Sequence, residues 1–111
     1  MGDIDATVLD RLFETIESRR GADPEASWTA KLLAGGPEVI AKKVGEEATE
    51  TVIAALSGDG RALAAESADL IYHLMVLWAA KDIAPADVWR ALAEREGTSG
   101  IAEKASRKKP G

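Results

Sequence analysis

Two pairs of acids, Glu47 with Glu50 and Glu66 with Asp69, stand symmetrically about Gly58. Glu47 and Asp69 are each 11 residues from it, Glu50 and Glu66 each eight. If the flanking segments are helices folded back on each other at the glycine, every acid of the first lies opposite one of the second. At a rise of 1.5 Å per residue the two levels stand roughly 4.5 Å apart. Four carboxylates would then share one small volume. Like charges held that close raise one another's pKa, and the cluster is costly unless a divalent cation neutralises it. Mg2+ suits such a site, because it prefers octahedral oxygen ligation at about 2.0–2.1 Å, keeps waters, and is commonly shared between carboxylates and substrate phosphates.

Helical geometry supports the grouping. At 100° per residue the members of each pair project about 60° apart, from one side of their helix, and both pairs border an apolar stripe. Glu46 points further round, toward a supporting or a solvated position. Lys43 and His73, each 15 residues from Gly58, fall at the next level beyond Glu47 and Asp69. Lys43 could offset the acids or bind a phosphate, with a simple ion pair as the alternative. His73 could orient a carboxylate or touch a phosphate, or be a buried histidine in a helix contact. Gly45, costing about 1 kcal/mol inside a helix relative to Ala, either admits a close approach or is tolerated slack. Glu-rich helices whose i, i+3 acids merely face water are common, so a non-catalytic helical interaction module remains a competing reading. A di-iron bundle is disfavoured, since no Glu-x-x-His motif is present.

The elements that must position these residues follow from apolar spacing. Val8, Leu9, Leu12, Phe13 and Ile16 mark an amphipathic helix within Ile4 to Arg20, stopped by Gly21. Ser27 can cap a short helix from Trp28 to about Ala34, ended by Gly35 and Gly36. Pro37 opens a long helix with the stripe Ile40, Val44, Ala48, Val52, Ala55 and Leu56, running to Ser57. A second long helix, about Arg61 to Lys81, carries Leu63, Leu70, Ile71, Leu74, Leu77 and Trp78, and its second half is apolar nearly all round. Pro85 begins a last helix through Val88, Trp89 and Leu92 to about Glu96, and from Gly97 the chain reads as a mobile tail. No segment alternates like a strand. The fold expected is all-α: a helical bundle on a long antiparallel helix hairpin, completed by a homodimer.

A chain of 111 residues fits a single domain spanning 1–111. With no cysteine and one histidine, thiolate or multi-histidine metal sites are excluded within one chain. A net charge of -5 argues against a nucleic-acid partner, despite a basic tail of Lys104, Arg107, Lys108 and Lys109. The N-terminus lacks a signal pattern and no apolar run approaches a membrane span, so a cytoplasmic, non-membrane protein is expected.

The run Glu46-Glu47-Ala48-Thr49-Glu50, followed by Glu66-Ser67-Ala68-Asp69, resembles the signature of the all-α, MazG-like nucleotide pyrophosphohydrolases. Three flanking runs narrow this: Ser27-Trp28-Thr29-Ala30-Lys31-Leu32, Lys42-Lys43-Val44-Gly45-Glu46-Glu47-Ala48 and Ala68-Asp69-Leu70-Ile71-Tyr72-His73-Leu74. They are similar to the phosphoribosyl-ATP pyrophosphohydrolases of histidine biosynthesis over roughly residues 6 to 107, including Ser99-Gly100-Ile101-Ala102-Glu103-Lys104. Trp28 stands where that family usually has tyrosine. The resemblance implies Mg2+-dependent hydrolysis of 1-(5-phosphoribosyl)-ATP to the corresponding AMP and pyrophosphate. In many organisms this domain is fused to a cyclohydrolase that relies on cysteine and histidine; the residues for it are lacking, and a stand-alone hydrolase is expected.

On that footing Glu47, Glu50, Glu66 and Asp69 are the expected metal ligands, and Glu47 and Glu50 the catalytic carboxylates, with Glu47 suited to accept a proton from water. Lys43, Lys31 and Trp28 are expected to contact substrate, Glu46 and His73 to support them. Arg107 and Lys108 either close over the substrate or form a solubilising tail. A house-cleaning hydrolase of dCTP or dUTP with the same fold is the nearest rival.

Overall fold

A computed structural model describes residues 4–97 of the chain. Among them are five α-helices and no strand: α1 (Thr7–Ser18), α2 (Trp28–Gly35), α3 (Pro37–Ser57), α4 (Gly60–Ala80) and α5 (Pro85–Glu96). The all-α class and every helix expected from apolar spacing are present.

Local chemistry sets the bounds. Ser27 Oγ accepts the Ala30 amide at 3.1 Å and starts α2. Pro37 sits in the first turn of α3, where a missing N–H costs nothing. Gly58, at φ +78°, takes the left-handed conformation that ends α3. Asp59 Oδ1 then accepts the amides of Arg61 and Ala62 at 3.0 and 3.3 Å and starts α4. Only Gly58 and Asp59 separate the two long helices, which leaves α4 to return along α3. α1 is shorter than its periodicity suggested. The Asp5 carboxylate takes hydrogen bonds from the Thr7 amide at 2.9 Å and hydroxyl at 2.6 Å, so the helix begins there and Ile4 is left exposed.

The core sits at the end of the α3/α4 pair away from Gly58. Ile40 from α3, Met75, Val76 and Ala79 from α4, Ile16 from α1 and Leu32 from α2 meet there, with Leu12, Phe13, Tyr72 and Trp78 packed round them. A hydrogen bond between the Thr29 and Tyr72 hydroxyls ties α2 to α4, and the Arg20 guanidinium donates to the Ala79 carbonyl near the end of α4. α5 buries no residue and rests on α4 through an edge-on contact of Trp89 with Trp78, ring centroids 5.9 Å apart. By length and hydropathy alone α4 could cross a bilayer. Its buried Met75, Val76 and Ala79 instead serve the core, and its acids Glu66 and Asp69 face an acid of α3.

The apolar stripe expected along the whole of α3 is covered only in part. Ile40 is sealed, but Val52 is 57% and Leu56 83% exposed, as is Ile53 at 62%. α2 is too short to reach them: eight residues span about 12 Å. Toward Gly58, α4 is the principal neighbour of α3 among the described residues, and this half of the pair presents apolar surface outward. Gly45 lies on the exposed side of α3, and a Cβ there would meet nothing within 4 Å. No close approach within the described chain requires it. Gly45→Ala should therefore stabilise the protein by roughly 0.5–1 kcal/mol, whereas Ile40→Ala should cost about 2–5 kcal/mol. Urea unfolding midpoints of the two variants, moving in opposite directions, check both.

Candidate active site

α3 and α4 bring three of the four acids together. Glu47, Glu66 and Asp69 each offer a carboxylate oxygen, and these oxygens lie within 4.8 Å of one another. Glu50, just under a turn closer to Gly58 and exposed, is not in that trio but acts on Glu66 by charge and by hydrogen bonding. The backbones are held in step by Thr51. Its hydroxyl donates to the Glu47 carbonyl at 2.8 Å and lies 3.3 Å from the Glu66 carbonyl, so one side chain bridges the two helices at the level of the acids.

The cluster is electrostatically uncomfortable. Glu66 Oε2 is enclosed and has no hydrogen-bond partner among the described residues. Desolvation pushes the Glu66 carboxyl above its usual pKa, and the charges of Glu50, Asp69 and Glu47 push it further in the same direction. Glu47 is buried, and its counter-charge is Lys43: Nζ lies 3.7 Å from Glu47 Oε1 and 3.3 Å from Glu46 Oε2. Hydrogen bonding to Glu46, then attraction to Glu46 and Glu47, holds the Lys43 ammonium pKa above its usual value. The same Nζ stands 5.9 Å from the ring centroid of Trp28, which is half exposed at the start of α2. Trp28, Lys43, Glu46 and the acid trio thus form one connected set.

His73 is buried. Its Nδ1 lies 2.7 Å from the Asp69 carbonyl, its ring meets Tyr72 edge-on, and its Nε2 is enclosed without a partner among the described residues. Its contact with Asp69 is through the backbone, one turn along α4. Lys31 is exposed on α2, three residues after Trp28. The tail residues Lys104, Arg107, Lys108 and Lys109 lie outside the described residues. Thr51 and the α4 cap Asp59 were not singled out from sequence, although Thr51 follows Glu47 by four residues on the same face and Asp59 immediately precedes Gly60.

The residues fit a hard cation. All donors are oxygens, three carboxylates converge, and the sealed side-chain oxygen without a partner among the described residues belongs to that group. Two apolar clefts elsewhere do not touch the acids: one of about 370 Å³ between the start of α1 and Trp89, another of about 390 Å³ bordered by Pro37, Ala41, Trp78 and Lys81. Their walls lack the convergent polar groups that chemistry needs.

A family profile for phosphoribosyl-ATP pyrophosphohydrolase matches residues 9–96, a span that holds every acid of the site. The chain belongs to that family. Among its phosphoribosyl-ATP pyrophosphohydrolase relatives, the phosphoribosyl-ATP pyrophosphatase of Azospirillum brasilense is 65% identical over 105 residues, covering 95% of each chain. The protein of the same name from Cereibacter sphaeroides strain ATCC 17029 is 60% identical over 101 residues, 91% of this chain and 98% of its own. That of Parvibaculum lavamentivorans is 60% identical over 103 residues, 93% and 94% of the two chains.

The raised Glu66 pKa has a sign. A folded-state pKa above the unfolded value means the native state binds more protons, so this group's contribution is full below the usual value of 4.5 and is lost as pH rises through the folded-state pKa. At neutral pH the metal-free protein carries an unfavourable charge there. Glu66→Gln should raise the Tm of the metal-free protein at pH 7, with a gain that shrinks toward pH 4. Thermal melts in chelator across that range test it, and a lowered Tm at pH 7 would contradict the electrostatic reading.

Proposed function

We propose that this chain hydrolyses 1-(5-phosphoribosyl)-ATP to 1-(5-phosphoribosyl)-AMP and pyrophosphate, the step of histidine biosynthesis catalysed in its family, using Mg2+ held by Glu47, Glu66 and Asp69 with Glu50 beside them. The observation that carries the reading is the sealed, unpartnered Glu66 Oε2 within a three-carboxylate cluster, in a chain whose relatives are named for this activity. One water is consumed across the anhydride between the α and β phosphates, and a monophosphate and pyrophosphate leave.

Mg2+ at this position supplies charge neutralisation for the polyphosphate and a water of lowered pKa. The chain's own residues supply the rest. In this reading Glu47, the buried acid of the trio, takes the proton of the attacking water. Glu50, exposed just under a turn nearer Gly58, completes the ligand set. Lys43 and Lys31 meet phosphate oxygens, and the exposed Trp28 indole offers a flat face on which a base can stack. Glu46 keeps Lys43 oriented, and His73 steadies the turn of α4 that carries Asp69.

The outward apolar surface of Val52, Ile53 and Leu56 supports a homodimer that completes a four-helix arrangement. A cytoplasmic setting and a small-molecule substrate agree with the acidic composition, which disfavours nucleic acid.

Pyrophosphate release from phosphoribosyl-ATP with Mg2+, measured beside dCTP and dUTP, tests the assignment; preference for a deoxynucleotide would move it to the house-cleaning class. Glu50→Gln should lower kcat by at least about a hundredfold with unchanged helicity by circular dichroism. Turnover near wild type would remove Glu50 from the mechanism. Chelation should abolish activity and added Mg2+ restore it.

A further inference from the structure

Lys43 occupies the place of a competitor. Glu47 is a nearly enclosed acid, its side chain 12% exposed, and a charge so placed needs a partner. Among the described residues the cation ion-paired to it is Lys43, at 3.7 Å, a contact longer than a hydrogen bond. The lysine has two other holds, neither on the acid trio: Glu46 at 3.3 Å and the Trp28 ring face at 5.9 Å. It can leave Glu47 while keeping a carboxylate and an aromatic face, and its flexible stem permits the swing. A divalent cation among Glu47, Glu66 and Asp69 would repel the ammonium and take over the charge it offsets.

We propose that Lys43 is the resident counter-cation of the acid cluster in the metal-free protein, and that a divalent cation displaces it from Glu47 onto the Glu46 and Trp28 side, where its ammonium is free for a substrate phosphate. The proposal rests on the acid trio being the metal site. It assigns Lys43 two successive partners rather than one: an acid before the metal arrives, a phosphate afterwards. Glu46 is then the tether that retains the lysine at the site through the exchange.

Calorimetric titration of Mg2+ into the metal-free, full-length protein at low ionic strength tests this, comparing wild type with Lys43→Met and Lys43→Gln, two neutral variants so that a folding failure of one leaves the other. Both should bind Mg2+ about two- to fivefold more tightly than wild type, and both should melt at lower temperature without metal. The difference in affinity should shrink as salt is added. Lys43→Arg, which keeps the charge, should stay within about twofold of wild type. With Mg2+ loaded, inorganic pyrophosphate should bind the neutral variants at least about fivefold more weakly. If wild type takes up no Mg2+, both the metal reading and this proposal fall. If wild type binds Mg2+ while the neutral variants bind it equally or less well, or hold pyrophosphate normally, the metal site stands and the exchange is overturned.

Discussion

Repulsion between carboxylates held across two adjacent helices is the constraint around which this chain is arranged. Glu47, Glu66 and Asp69 lie within 4.8 Å of one another, and Glu50 adds its charge to Glu66. Among the described residues the Thr51 hydroxyl spans the two helices at that level, and Lys43 offsets the charge of Glu47 from within α3. The adhesion comes from further along. Ile40, Met75 and Val76 are wholly enclosed beside Ile16 and Leu32, and each buried side chain of this size contributes about 1.5–3 kcal/mol. A few such residues at one end of a stiff pair hold the acids together in its middle. Placing core and site at different levels of the same two helices lets the site stay polar, open and strained.

The same separation explains why α1 and α2 matter to the chemistry without contributing its acids. They close the core on one side, and α2 begins with the one aromatic ring that reaches Lys43. The hydrogen bond of Thr29 with Tyr72 fixes α2 on α4, and through it the position of Trp28 relative to the acids. The apolar cleft at Trp89 follows from α5, which buries nothing.

Much of this was legible in the sequence because helical periodicity and turn chemistry are local. Pro37, Ser27, Gly58 and Pro85 mark starts and stops through their own backbone preferences, and the acid pairs are symmetric about a glycine that can turn the chain back. What was not legible depended on distance. The stripe from Ile40 to Leu56 looks uniform in sequence, yet only its first part is covered, since coverage depends on how far α2 extends. Glu50 and Glu47 project from one side of α3, yet one is exposed and the other buried, a difference that spacing along one helix does not reveal. Thr51 reads as an ordinary mid-helix threonine until α4 is beside it. His73 was placed on the acid face by spacing, and there its burial and its bond to a backbone carbonyl, rather than to a carboxylate, follow from the tight packing of the second half of α4.

Register is therefore the property on which everything else turns, and the two residues Gly58 and Asp59 set it. Each residue advances a helix by 100° and 1.5 Å, so a turn one residue longer with α3 unchanged would swing Glu66 and Asp69 by about 100° unless α4 rewound. Met75, Val76 and Ala79 ride on the same helix and would swing with them, away from the core they share with Ile40. A change of register therefore displaces the acids and the core together. The left-handed glycine that closes α3 and the aspartate that opens α4 are in this sense as much a part of the site as the carboxylates. The register that buries the apolar end is also the one that holds the charges of Glu50, Asp69 and Glu47 near the Glu66 carboxyl and raises its pKa.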